Sequence, residues 1–230
     1  ASIIFASNSK RGGRTRSGST WRNLAIRCWA IRSTAAGVAA AMDAVAAEAP
    51  AASVANASLG STYNAAVNQA VTNFIERTNM PFAVAAGNSA DDVLGYSPAS
   101  TPQATTVAAS EAGDHDAFYS NYGEEIDLYA PGTDIWSTDF LDPASMSLLS
   151  GTSMAAPHVA GYLALYTQSD PIASWQSADA AVKAQATPDV IQGTVGGTPN
   201  RLLYTSALIA GQAPSAPPAG ITAVTHTSIT

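Results

Sequence analysis

The string Ser150-Gly151-Thr152-Ser153-Met154-Ala155-Ala156-Pro157-His158-Val159-Ala160-Gly161 constrains the fold more than any other part of the chain. Two small residues and a Ser lead into Val159, Leu163 and Tyr166, spaced by four and three, with Leu165 as a further apolar position. That period predicts a helix opening at or beside Ser153. Unpaired backbone N–H groups and the positive end of the helix dipole gather at such a start. A hydroxyl placed there can attack a carbonyl, and the neighbouring N–H groups can stabilise the oxyanion that forms. Pro157 is expected within the first turn, where its missing N–H costs nothing. A Ser near a helix start is also an ordinary N-cap, so the surrounding chain has to separate the two readings.

From Thr34 onward helices and buried strands alternate. Val38, Ala41, Met42 and Val45 share one face of a helix that stops before Pro50. Residues 52–59 read as a strand ending at Gly60. Residues 63–78 read as an amphipathic helix with Val67, Ala70, Val71, Phe74 and Ile75 on one side. Strands are expected at 81–86, 105–109, 126–129 and 201–204, and a further helix at 174–186. This alternation predicts an α/β fold: three layers, α/β/α, around a mainly parallel sheet. Ligands bind such sheets outside the carboxyl ends of the strands. Gly60, Asn88 and the Pro131-Gly132 turn all fall at strand ends, so they can share a rim with Ser153.

Gly-Thr-Ser-Met-Ala-Ala-Pro-His-Val-Ala-Gly at 151–161 resembles the nucleophile motif of the subtilisin-like serine proteases, nearest the proteinase K branch. Ser58-Leu59-Gly60 resembles the family's substrate-binding strand, and Ala85-Ala86-Gly87-Asn88 its oxyanion-hole strand end. Tyr96-Ser97-Pro98-Ala99, Phe118-Tyr119-Ser120-Asn121-Tyr122-Gly123 and Ala130-Pro131-Gly132 follow in the family's order. The resemblance covers residues 34–205. It implies a secreted, monomeric serine endopeptidase acting on peptide or protein substrates. Ser153 would be the nucleophile and Asn88 an oxyanion donor. Ser58, Leu59, Gly60, Ala85, Ala86 and Gly87 would pair with an extended peptide. No cofactor is implied for catalysis. A structural calcium ion is implied, held by Asp127 with the carbonyls of Pro102 and Ala104; one carboxylate is a weak signal by itself.

The family's base, in a Gly-His-Gly-Thr-His type motif, and its Asp after the first strand would both lie upstream of these matches, and neither motif occurs in the sequence. The histidines are His115, His158 and His226. His158 stands five residues along the same helix, about 140° around the axis from Ser153, and cannot serve it. His115 in a polar loop and His226 in the tail read as solvated. The chain alone is therefore expected to be inactive, and a non-enzymatic peptide binder is the alternative. An α/β-hydrolase elbow would need Gly where Ala155 stands, with Asp and then His downstream.

The charge is uneven. Lys10, Arg11, Arg14, Arg16, Arg22, Arg27 and Arg32 precede the first acidic residue, Asp43, in a chain of net charge −7. This arm lacks aromatic interleaving and a nucleic-acid motif, and the acidic remainder opposes phosphate binding, so no nucleic-acid partner is expected. Residues 1–33 show no periodicity and read as an aberrant or disordered basic segment. One explanation is translation out of frame: read from the third base of the Cys28 codon, the codons of Cys28-Trp29-Ala30-Ile31 can encode Leu-Gly-Asp. An unrelated arm or a disordered tail are the others. Residues 34–210 form the C-terminal part of the protease-like domain. Residues 211–219 are a Pro-rich linker, and residues 220–230, rich in Thr and β-branched residues, resemble the truncated start of a fibronectin type III module. No apolar run approaches the roughly 18 residues of a membrane span, and the lone Cys28 excludes an internal disulfide.

Overall fold

The computed structural model describes residues 2–9, 23–30, 35–50, 52–138, 145–205 and 225–228. Strands β1 (Ser2–Ser9), β2 (Asn23–Ala30), β3 (Ser53–Ala57), β5 (Phe82–Ala85), β7 (Thr105–Glu111), β9 (Leu128–Pro131), β12 (Thr187–Pro188), β13 (Arg201–Leu202) and β14 (Thr225–Ser228) form the path of the main sheet. Its order is β12-β13-β9-β7-β5-β3-β1-β2-β14, and β8 (His115–Asp116) pairs with β7. Two small ribbons lie apart from it: β4 (Ser61–Thr62) with β6 (Tyr96–Ser97), and β10 (Ile135–Thr138) with β11 (Met146–Leu149). The central run β3, β5, β7, β9 and β13 is parallel. On one flank β1 runs antiparallel to both β3 and β2.

Alternation along the strands builds the layers. In β3 and β5, Ala55, Ala57, Phe82 and Val84 face helices α1 (Ala35–Glu48) and α2 (Ala65–Thr78), meeting Val38, Met42, Val45, Val71, Phe74 and Ile75. Val54, Ala83 and Ala85 face the other way, with Val107, Leu128 and Ala130, onto α3 (Thr152–Ser169) and α4 (Trp175–Gln185). This is the expected three-layer α/β/α arrangement. The many alanines on the strands are what let α3 lie close against the sheet. Side chains that small leave little room between the layers, and close packing rewards their contact.

Local chemistry sets the helix ends. The Asn64 side chain accepts from the N–H groups of Ala66 and Val67 at the start of α2, and Asn79 closes that helix with φ 57°. Ser174 caps α4 through the Ser177 N–H at 3.1 Å. Strand bounds move from the apolar runs: 52–59 shortens to Ser53–Ala57, because residues 58–60 leave the ladder at the rim, while 105–109 lengthens to Thr105–Glu111 and 126–129 shifts to Leu128–Pro131.

Two expectations about α3 change. The buried face includes Val159 and Leu163 as predicted, but Tyr162 and Thr167 complete it, while Leu165 and Tyr166 are half-exposed. Pro157 lies in the second turn, beyond the N-terminal residues that lack an intrahelical acceptor. It therefore withdraws the N–H that would bond the carbonyl of Ser153.

In the segment expected to be an aberrant arm, β1 and β2 are described; in the tail, β14 runs parallel to β2. The linker at 211–219 lies outside the described residues.

Candidate active site

Three strand exits and one helix start meet at the carboxyl rim of the sheet. β3 runs out into Ser58-Leu59-Gly60, β5 into Ala86-Gly87-Asn88, and β9 into Gly132. The Gly151 N–H donates to the Gly132 carbonyl at 2.8 Å, and the Tyr119 hydroxyl donates to the same oxygen at 2.9 Å. The first of these bonds ties the start of α3 to the end of β9, and the second braces it from Tyr119. A Cβ on Gly132 would stand 2.6 Å from the Ala109 Cβ and 3.0 Å from the Gly151 carbonyl, so the approach requires glycine.

The resulting groove is lined by Ser58 to Thr62, Ala85 to Ser89, Tyr96, Ala99, Thr152 and Ser153. Thus Ser153, Asn88, Ser58, Leu59, Gly60, Ala85, Ala86 and Gly87 are brought together from three separate stretches of sequence.

Ser153 is the second residue of α3, and its side chain lines the groove half-exposed. At that position its own N–H has no acceptor within the helix. Gly151, the residue before the helix, offers no side-chain cap. Ser153 is thus not an N-cap: the first-turn N–H that needs a cap is met by Asn88 instead. Asn88 Oδ1 accepts from the Thr152 N–H at 2.9 Å and from the Thr152 hydroxyl at 2.8 Å. Because a backbone N–H can only donate, these bonds assign the oxygen of the amide and turn its Nδ2 donors the other way.

Thr152 and Asn121 hold this geometry, and neither was singled out in the sequence. The Thr152 hydroxyl accepts from the Gly87 N–H at 3.1 Å while donating to Asn88. The buried Asn121 donates to the Ala86 carbonyl at 2.9 Å and accepts from the N–H groups of Ser89 and Asp91. It fastens both ends of the loop that carries Asn88. The only hint in the sequence was that both lie within strings already quoted, Asn121 in Phe118–Gly123 and Thr152 beside Ser153.

The two strand-exit segments expected to pair with a peptide differ. Ser58, Leu59 and Gly60 lie on the rim, half-exposed to exposed. Ala86 and Gly87, by contrast, have main-chain groups already engaged. The Ala86 N–H bonds to Val107 at 3.0 Å, and the Gly87 carbonyl accepts from Asn121 at 2.9 Å. Neither His115 nor His158 lines the groove. His158 Nδ1 turns back on its own helix to the Met154 carbonyl at 2.8 Å. His115 stands on β8 in a bridge to Gln192, and the side chain of His226 lies outside the described residues.

At the residues implied for calcium, both oxygens of Asp127 are engaged. Oδ2 accepts from the Thr106 N–H at 2.7 Å, and Oδ1 pairs with the Lys183 ammonium at 2.6 Å. Burial pushes Asp127 up to about 6 against the pull of Lys183. Pro102 and Ala104 lie on the turn that leads into β7. Among the described residues, no group of three or more His, Cys, Asp or Glu side chains could hold a metal ion.

A mainly parallel α/β/α sheet thus carries a helix-borne serine and an oriented amide at its carboxyl rim. The model of the subtilase family matches residues 1–206, and the chain belongs to that family. That match takes in residues 1–33 as well as the stretch where the motifs were read. Over 147 residues the chain is 42% identical to an extracellular serine proteinase of Thermus sp. strain Rt41A, covering 64% of this chain and 36% of the relative. It is 40% identical over 153 residues to a cuticle-degrading protease of Metarhizium anisopliae, covering 65% and 38%. A crystal structure of a cold-adapted subtilisin-like serine proteinase superposes with a TM-score of 0.72 at 37% identity, covering 76% of this chain and 62% of that one. The chain thus spans well under half the length of these two curated relatives.

Proposed function

We propose that this chain is the nucleophile-bearing part of a secreted serine endopeptidase. The observation that carries the reading is the Thr152–Asn88 pair of hydrogen bonds beside Ser153, which fixes an amide donor at the mouth of a serine-lined groove. A peptide would lie along Ser58-Leu59-Gly60. The Ser153 oxygen would attack its carbonyl carbon, the Ser153 proton passing to a base. The carbonyl oxygen, now negative, would be met by Asn88 Nδ2 and the Ser153 N–H. Collapse would expel the amine, protonated by the same base, and leave an ester on Ser153 that water hydrolyses.

The sequence carries no motif for that base or for its orienting Asp, so Ser153 here is a neutral alcohol and a weak nucleophile. Secretion is supported by a relative named extracellular. A monomer and a protein or peptide substrate, without nucleic acid or membrane partners, belong to the same reading. No helix among the described residues is long and apolar enough to cross a membrane.

The test is labelling by a fluorophosphonate, beside a longer chain supplying the Asp and His. The longer chain should label at Ser153, and Ser153→Ala should abolish it. The chain alone should be slower by up to about 10⁶, a magnitude known from a subtilisin and carried over. Failure of the longer chain to label would favour the alternative, a non-enzymatic peptide binder.

A further inference from the structure

Two carboxylates, Asp127 and Asp179, face each other between the sheet and α4, with 16% and 17% of their side chains exposed. Each has one oxygen bound to β7: Asp127 Oδ2 by the Thr106 N–H at 2.7 Å, Asp179 Oδ1 by the Thr105 hydroxyl at 2.8 Å. Their remaining oxygens converge on one cation, the Lys183 ammonium, at 2.6 and 2.7 Å. Lys183 reaches them from one turn further along α4 than Asp179, which fixes it in place by helix geometry. Arg201 Nη1 adds a second positive group, donating to the Asp127 main-chain carbonyl at 3.4 Å.

This is the place where the family resemblance implied calcium. A calcium ion needs six to eight oxygens at about 2.3–2.6 Å. Lys183 Nζ stands at nearly that distance from Asp127, so the ammonium and the ion exclude one another. Two partly buried carboxylates repel unless a cation separates them, and here the chain provides its own.

We infer that Lys183 stands where a divalent cation would, so that the junction of β7, β9 and α4 is held without calcium. Withdrawing the ammonium leaves two carboxylates and the Thr105 hydroxyl around a space beside the Pro102–Ala104 turn. An oxygen-lined, doubly negative space of that kind suits calcium. The inference is independent of the catalytic reading, since it concerns the fold alone.

The experiment is thermal unfolding of the chain in EDTA and in excess calcium. The wild type should melt at the same temperature in both. Lys183→Ala, and Lys183→Gln, which keeps the stem and loses the charge, should melt lower in EDTA. Calcium at about a hundredfold over its dissociation constant should raise their melting temperature by about 5–10 °C. Asp127→Asn in the Lys183→Ala background should remove that rise. A calcium-dependent rise in the wild type that Asp127→Asn abolishes would overturn the inference, and so would calcium indifference of both Lys183 variants. If the Lys183 variants do not fold, terbium titration of the wild type decides. Luminescence that Asp127→Asn removes would count against the inference, and its absence would support it.

Discussion

The Ser58 hydroxyl donates to the main-chain carbonyl of Ser153 at 2.8 Å, across 95 positions of sequence. Pro157 is the reason that carbonyl is free: it has no N–H with which to close the helical bond. Asn56 completes the chain, donating from Nδ2 to the Ser58 Oγ at 3.1 Å. The exit of β3 is thereby fastened to the backbone of Ser153.

Ser58→Ala should lower stability by about 1 kcal/mol, the net size of one hydrogen bond at a part-buried carbonyl. In a Pro157→Ala background the helix can supply its own donor, and the loss should shrink toward zero. Urea midpoints for the four chains of this cycle measure it; equal losses in both backgrounds would refute the shared-carbonyl account.

Asn88→Asp separates orientation from donation. The carboxylate can still accept both Thr152 bonds, but it replaces the Nδ2 donors with an oxygen. In an extended chain carrying the Asp and His, turnover should fall by more than the roughly 10²–10³ expected for loss of one oxyanion donor, a figure known from a subtilisin. The Michaelis constant should hardly move, because the donor acts on charge present only in the transition state. Asn88→Ala should lose turnover and stability together, having lost the Thr152 bonds as well. A raised Michaelis constant with turnover intact would make Asn88 a ground-state binding residue.

Gly87→Ala should destabilise the protein by about 1–3 kcal/mol, the usual size of such strain. Gly87 has φ +108°, a conformation side chains rarely adopt, and an added Cβ would run into the Asn121 amide. Displacing that amide would release the Ser89 and Asp91 N–H groups. A melting temperature equal to the wild type would show that the loop absorbs the methyl group.

Asp116 gives the stability a pH dependence of known sign. Burial raises its carboxyl to about 6, reinforced by the charge of Glu111 and opposed by the neighbouring Tyr129 hydroxyl. Between the unfolded value near 4 and about 6, the native state holds a proton that the unfolded chain has lost. Its contribution to stability therefore falls as pH rises through that window. Asp116→Asn should gain stability over the wild type progressively from about pH 4 to about pH 6 and hold that gain above it. Denaturant midpoints across the range measure the difference, and a constant offset would mean that Asp116 does not titrate there.

The sequence alone determined the layers and the place of Ser153 at a helix start. Apolar spacing in Val38–Val45 and Val67–Ile75 placed α1 and α2, because a helix repeats every 3.6 residues and buries one stripe. The alternation of those helices with short apolar runs required a covered parallel sheet, and Ser153 beside a helix start was legible from local composition. Only the tertiary structure decided what surrounds these groups. That Asn88 is aimed by Thr152, that Ser58 takes the carbonyl Pro157 leaves open, and that Lys183 fills the space beside Asp127 are all contacts between elements far apart in the chain. Periodicity says which face of an element is buried; it says nothing about which distant side chain arrives there. That pairing is set by how the layers stack, and hydrogen bonds and ion pairs, being short-ranged and directional, form only once the stacking has brought their partners within about 3 Å.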